Sequence, residues 1–253
     1  MKYVFSTNDL TTAVKSSNKK KKIVILTGPQ GSGNHLWSKV FSLHEDVFGW
    51  KSLLENYWEA HRLTEPFAAY WRDPSTLKEF DWSQSDYYFT SISVPLGIES
   101  KGTKWSPNIM QFAMNCELCG LETQICVIGR DQNILDYQQQ RIREENTCRH
   151  FLDQLPNLEN PIFLSYELLY LYKEEYLKTL ELPIPVAWYD ERLEEILKYD
   201  ANFKYISPVE EQILDDGNKT AIPFPTNPVN KELWEKPARG DYLDCCGDKP
   251  CHC

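Results

Sequence analysis

The sequence predicts an α/β protein: a parallel sheet with helices on both faces, in a three-layer architecture. Three observations carry this. Short β-branched or apolar runs alternate with longer runs of helical spacing, which is the pattern of strand–helix–strand crossovers. The first apolar run, KIVILTG (22–28), leads straight into a glycine-rich turn, GPQGSG, and a helical pattern starts directly after it. The later runs end in polar stretches at 93–95, 129–131 and 165–167, and right-handed crossovers gather these on one sheet edge.

The elements follow in order. After the turn, NHLWSKVFSLHEDVF has apolar residues at Leu36, Trp37, Val40, Phe41 and Leu43, a helical spacing. Residues 50–80 are aromatic-rich and read as mostly helical, broken at Pro66 and Pro74. DYYFTSISVP (86–95) is a second strand, stopped by Pro95. SPNIMQFAMNCELCG (106–120) opens on Ser-Pro and closes on Gly, the punctuation of a helix. TQICVIG (123–129) is a third strand, and the run from Arg130 to Leu155 reads as one long helix. NPIFLSY (160–166) is a fourth strand, followed by a helix over 167–182, a short further strand or extended segment at PVAWYD and a last helix at ERLEEILKYD. Residues 1–200 are thus read as one α/β nucleotide-binding domain. Residues 201–253 are read as a Pro- and aromatic-rich C-terminal extension with a Cys-rich tail.

Composition narrows the function. The net charge is −10, so the surface repels nucleic acid and anionic polysaccharide away from any local basic patch. NKKKK (18–22) is the one basic run, and it reads as a solvated lead-in to the first strand. No apolar stretch is long enough to cross a bilayer, and MKYVFSTNDL lacks the long apolar region of a secretory signal. A cytoplasmic protein with no membrane and no nucleic-acid partner is expected. Cys116, Cys119, Cys126 and Cys148 read as buried thiols. Cys245, Cys246, Cys251 and Cys253, with His252, crowd the C-terminus, but nothing long separates the pairs as in zinc modules, and no metal site is assigned.

The chemistry lies in the strand ends. Gly28, Gly31 and Gly33 let backbone N–H groups converge on an anion at the positive end of the following helix. A nucleotide-hydrolysing loop would carry Lys and Ser or Thr where this chain has Asn34 and His35. The His35 ring N–H is a candidate phosphate donor. Arg130, at the end of CVIGRD, suits a second phosphate through its planar fork, with Gln138 two helical turns further on.

This arrangement resembles the sulfotransferase family. GPQGSGNHLW resembles the family's turn for the 5′-phosphosulfate of 3′-phosphoadenosine 5′-phosphosulfate, with Ser32-Gly33-Asn34-His35 matching a Ser-Gly-Asn-His form and Gln30 and Gly31 where the family's Lys or Arg stands. TSISVP resembles a Thr-His-Leu-Pro run, with Ser93 at the histidine position. VIGRDQNILDYQQQR matches the Arg-Asp element at Arg130 and Asp131, and the serine that shares the 3′-phosphate falls near Gln138. FLSYE matches the fourth element, whose tyrosine, here Tyr166, approaches the nucleotide. The resemblance covers about residues 22–182, and PARGDY faintly matches a C-terminal Gly-Asp segment.

The resemblance implies transfer of a sulfuryl group from that cofactor to a hydroxyl or amine of a small-molecule or carbohydrate acceptor. It implies a cofactor site of Gly28, Gln30, Gly31, Ser32, Gly33, Asn34, His35, Arg130, Gln138 and Tyr166, and catalytic candidates Glu55, His35 and Ser93. Losing one preorganised donor costs about a hundred- to a thousandfold in rate, so the cradle reads as better kept than the catalytic apparatus. For a base, Glu55 is preferred over Glu45, His44 and His61, because LLENYWEAH sets it among aromatics that raise a carboxyl pKa and stack on a sugar. Two alternatives stand: a non-catalytic nucleotide-binding protein on the same fold, and a P-loop kinase or ATPase, for which only Asp131 offers the acid.

Overall fold

Strand β1, Lys22–Pro29, is the middle of the sheet, and six of its eight residues are buried, as a strand covered on both faces requires. The structure, a computed structural model, describes residues 20–56, 58–97, 104–143 and 147–198. The chain leaves β1 through helix α1 (Asn34–Ser42) and reaches a two-residue edge strand, β2 (Val47–Phe48). It passes through a one-turn helix, α2 (His61–Thr64), into β3 (Tyr87–Val94), then a small antiparallel pair, β4 (Leu96–Gly97) with β5 (Lys104–Trp105). Then come α3 (Ile109–Leu118), β6 (Glu122–Gly129), α4 (Gln132–Arg143), α5 (Cys148–Leu152), β7 (Ile162–Ser165), α6 (Tyr166–Lys178) and α7 (Arg192–Lys198).

The five main strands are all parallel, in the order β2-β3-β1-β6-β7. The register pairs Ile23 with Tyr88 and Val24 with Phe89, so alternate residues feed two cores. Val24, Leu26, Phe89, Cys126 and Ile128 join α1, α6 and α7 on one face. Ile23, Ile25, Tyr88, Ile92 and Val127 join α3, α5 and the aromatic segment 67–82 on the other. Helices therefore cover both faces, as the alternation of runs predicts. The chain turns from β1 toward β3 and later returns to β6 on the opposite side. The C-terminal ends of β1 and β6 thus flank the point where the winding reverses, which in open α/β sheets is where ligands bind.

Several sequence expectations are corrected. Residues 50–80 are not mostly helical. They hold α2 and two 3-10 turns, Lys51–Leu54 and Pro74–Glu79, because burying Trp50, Phe67, Trp71 and Leu77 overrides a propensity that has no sustained helical stripe behind it. The helix expected from Ser106 starts at Ile109, where the Asn108 side chain accepts the Gln111 N–H at 2.9 Å. The single long helix after Arg130 is two, α4 and α5. The Thr147 N–H is spent on the Gln139 side chain at 2.6 Å. PVAWYD forms no strand and holds a turn at Trp188 and Tyr189, while β2, β4 and β5, two residues each, are too short to leave a periodic signal. The extension at 201–253, its cysteine cluster and PARGDY lie outside the described residues, as do residues 18 and 19 of the lysine run.

One packing contact is open to a direct test. The Phe112 ring, fully buried on α3, stacks on Trp71 with centroids 3.8 Å apart. Phe112→Ala is expected to lower unfolding free energy by about 3–5 kcal/mol in urea titration, and a loss below about 1 kcal/mol would show that the two aromatics do not form one core.

Candidate functional site

The loop from Pro29 to Gly33 is held from outside by side chains of the β6–α4–α5 side. Arg130 Nη1 donates to the Gly31 carbonyl at 2.6 Å, and Gln139 Nε2 donates to the Gln30 carbonyl at 2.7 Å. Gln139 Oε1 accepts the Thr147 N–H, and the Thr147 hydroxyl donates to Gln30 Oε1 at 3.3 Å. Gln30, Gln139 and Thr147 are all essentially buried. Gly31 and Gly33 have φ of 87° and 110°, values only glycine adopts without strain. A Cβ on Gly33 would also lie 2.7 Å from the Tyr166 ring, and one on Gly28 would lie 2.6 Å from Ser32 Oγ. The glycines are therefore required by the loop's own packing.

Inside this frame the Ser32 N–H closes a turn on the Pro29 carbonyl at 3.1 Å, and the Gly33 carbonyl receives the Trp37 N–H. Among the described residues no acceptor takes the N–H groups of Gly31, Gly33 or Asn34, and Gln30 Nε2 and Asn34 Oδ1 are enclosed without a partner. Successive unspent amides at the start of a helix suit an anion. Tyr166 is buried as the first residue of α6, its ring against Gly33 and the Arg130 guanidinium 4.4 Å above its centre.

On the β3 side, Asn34 Nδ2 donates to Ser93 Oγ at 2.8 Å, so the serine at the expected histidine position is tied to the loop's helix. The Ser38 hydroxyl donates to the Asn34 carbonyl at 2.6 Å and lies 2.9 Å from Ser91 Oγ. The His35 Nε2–H donates to the Glu59 carbonyl at 2.8 Å, because a carbonyl only accepts. Its ring stacks on Trp58 and tilts against Trp50, with centroids 5.8 and 5.1 Å away. Glu59 pins this corner through its carboxylate as well. Partial burial pushes its pKa up, but hydrogen bonds from Ser52, Thr64, Trp50 and Asn56 outweigh burial and leave it lowered.

The enclosed acid of the segment is Glu65, which sequence reasoning missed. Glu55, the preferred base, ends the 3-10 turn and is exposed, where the sequence reading sets it among aromatics. Among the described residues the outer edge of β3 has no strand partner beyond β2, and two side chains one helical turn apart serve it. His61 Nε2–H donates to the Ser91 carbonyl, and Glu65 accepts from the Ser91 N–H. Glu65 also accepts the Thr90 hydroxyl and the Phe67 N–H, both at 2.8 Å. Burial pushes the Glu65 pKa up to about 8, against these hydrogen bonds. Burial likewise brings His61 down to about 4, opposed by its bond to Ser91 and helped by His35.

The other candidates scatter. His44 and Glu45 precede β2, which pairs with the first residues of β3, so they stand at the opposite end of the sheet from the loop. A groove of about 910 Å³ lies there too, but it is lined by Glu45, Asp46 and Asp86 and does not suit a phosphate. Asp131 caps α4 through the Asn133 and Ile134 N–H groups, both at 3.0 Å. The Gln138 side chain lies outside the described residues, and its neighbour Gln139 is the one turned onto the loop. Cys116 and Cys148 are buried, Cys119 is half-buried, and burial pushes the Cys126 thiol up to about 12. Comparison of the chain with protein-family models, with curated proteins and with solved structures finds no match in any of the three.

Enclosure of Glu65 and His61 sets a pH dependence of stability. Between pH 4.5 and about 8 Glu65 holds a proton when folded and has lost it when unfolded, so its contribution falls as pH rises. Between about pH 4 and 6.5 His61 is neutral when folded and protonated when unfolded, so its contribution rises with pH. Each slope is about 1.4 kcal/mol per pH unit, and the two oppose each other up to pH 6.5. Glu65 alone then gives a falling limb of about 2 kcal/mol to pH 8. Glu65→Gln is expected to remove that limb in urea titrations at the two pH values. Parallel curves for variant and wild type would show that the carboxyl is ionised throughout.

Proposed function

We propose that the protein binds an adenosine 3′,5′-bisphosphate nucleotide at the C-terminal ends of β1 and β6, without a divalent metal, and that it is a sulfotransferase-like protein. The observation that supports this best is the glycine loop whose three backbone amides and buried Gln30 Nε2 have no acceptor among the described residues, braced by Arg130 where the winding of the sheet reverses. The donor set fits the nucleotide's anionic groups: Gly31, Gly33, Asn34 and Gln30 for the 5′-phosphosulfate, and Arg130 with its planar fork for a second phosphate. The cofactor supplies the sulfuryl group; this chain binds it, orients it and keeps its leaving end among neutral donors. The acceptor, a hydroxyl or amine of a small molecule or carbohydrate, approaches from the β3 side, where the Trp50, Trp58 and His35 rings meet.

A specific observation favours the non-catalytic reading as the second choice. Ser93 is bound to Asn34, His35 to Glu59, and Glu65 is enclosed, so each of these three side chains already has a structural duty. A kinase or ATPase is a weaker reading, since the Asp131 carboxylate is spent on a helix cap. The reading is tested by thermal unfolding. Adenosine 3′,5′-bisphosphate in metal-free buffer is expected to raise the midpoint, and Mg-ATP at equal concentration to raise it far less. Equal or greater stabilisation by Mg-ATP would overturn the proposal.

A further inference from the structure

We propose that the acidic groove at the end of the sheet away from the glycine loop is a docking site for this chain's own leading segment, residues 1–19, with Lys15 and Lys19 set against Glu45, Asp46 and Asp86. The inference does not rest on the nucleotide reading. The groove holds about 910 Å³, within the range of clefts that enclose a ligand. Half-buried Phe48, Pro66 and Tyr87 line it, and so do the three carboxylates, all exposed. Among the described residues Lys51 is the one cation of the lining, and its amine donates to the Ser42 and His44 carbonyls at 2.7 and 2.6 Å. Asp46 has the His44 ring 4.0 Å away, and among the described residues neither Glu45 nor Asp86 forms an ion pair. The lining therefore keeps a net negative charge. Among the described residues no three metal-ligating side chains come together, so these carboxylates do not make a cage for a metal ion. Carboxylates spread along a groove with apolar residues between them suit an extended cationic chain instead.

The chain enters the sheet at this same corner. The Lys22 N–H donates to the Asp86 carbonyl at 2.9 Å, and Lys22 pairs with Tyr87. Lys21 Nζ donates to the Trp82 and Ser85 carbonyls, and Ser85 Oγ donates to the Asp46 carbonyl at 2.5 Å. One lysine of the basic run is thus already bound beside the groove. Lys20, exposed, is where residues 1–19 join, one strand away from β3 and two from β2. Two strand spacings are about 10 Å, and the five residues back to Lys15 span up to about 17 Å when extended, so the carboxylates are within reach. Charge favours this occupant over a second copy. Residues 1–22 hold six lysines against Asp9 alone, in a chain whose net charge is −10. A tether keeps the basic segment at high effective concentration over the acidic groove, whereas another copy brings its own net negative charge. Exposed ion pairs are weak singly, so the lysines act together, and Tyr3, Val4 and Phe5 offer apolar groups to match Phe48, Pro66 and Tyr87.

The experiment is hydrogen exchange of the full chain read by mass spectrometry, with carbodiimide cross-linking beside it. At low salt, residues 1–19 are expected to exchange about tenfold more slowly in the wild type than in the double variant Glu45→Lys, Asp86→Lys. The difference is expected to vanish at about 1 M salt, where the screening length is about 3 Å. Carbodiimide joins an amine to a carboxylate in contact with it, and is expected to link Lys15 or Lys19 to Glu45, Asp46 or Asp86 within the monomer. If the charge-reversed variant does not unfold cooperatively, Glu45→Gln with Asp86→Asn takes its place. Equal exchange in wild type and folded variant overturns the docking. So do links spread evenly over other carboxylates near the lysine run, such as Asp81 and Glu122. Links found only in a cross-linked dimer give the groove to a second copy and overturn it as well.

Discussion

Two hydrogen bonds fix the loop on which the rest of the site depends: Arg130 on the Gly31 carbonyl and Gln139 on the Gln30 carbonyl. A glycine-rich turn is otherwise free to rotate its peptides, and rotation would bury the amides that now stand unspent. Holding two successive carbonyls from one side removes that freedom without closing the other side. The donors come from the strand across the reversal of winding and the helix that follows it. The loop's conformation is therefore a tertiary property, decided by the β1–β6 pairing that brings residue 130 beside residue 31. Tyr166 completes the frame from β7's end, since its ring fills the space that a Cβ on Gly33 would need.

The opposite flank is built on a different economy. β3 needs a partner along its outer edge, yet β2 matches only Tyr87 and Tyr88. A backbone edge inside a protein demands hydrogen bonds, and here side chains meet the demand at Ser91. An acid and an imidazole one turn apart supply one acceptor and one donor, so the short helix α2 does the work of a missing strand. The cost is two titratable groups held neutral by burial. The same segment carries Glu59, whose carbonyl holds the His35 ring. The edge of β3 and the start of α1 are thereby joined through residues 59–65.

What the sequence makes legible follows from the range of each signal. The strand at 22 lies in a nearly continuous apolar run because it is buried on both faces, and the strands at 87, 122 and 162 keep a shorter apolar stretch that reads the same way. Gly28, Gly31, Gly33 and Arg130 are legible because strand ends in a parallel sheet share one edge. β2 leaves no pattern in two residues. Residues 50–80 pack aromatics from irregular backbone, and neither period 2 nor 3.6 describes that. Gln139 in place of Gln138 is a difference of one residue, but on a helix one residue is about 100° of rotation. The inward face was marked by Leu135, buried four residues earlier and so on the same face as Gln139. Glu65 was hidden for another reason: a glutamate reads as surface unless its partners are known, and Thr90 and Ser91 lie 25 and more residues away.

The docking of α1 on the sheet shows why the loop's helix is so polar inside. Asn34, Ser38 and Ser42 fall four residues apart, all buried. Two of them face serines of β3 through Asn34–Ser93 and Ser38–Ser91. An ordinary amphipathic helix would set Leu or Val there and stand further off. Small polar residues let the helix approach closely, and Gly49 beside it has no room for a Cβ without pressing on Ser42 Oγ and the Phe89 ring, both at 3.2 Å. The remaining face of α1 is apolar and carries Leu36, Trp37, Val40 and Phe41 into the core. The apolar face therefore fixes how firmly the helix is held, and the polar stripe fixes where its first turn stands relative to Ser93. On the proposed reading, in which the first turn holds an anion, the serine stripe is the feature of α1 that bears on the site, and the apolar stripe is the feature that bears on the fold.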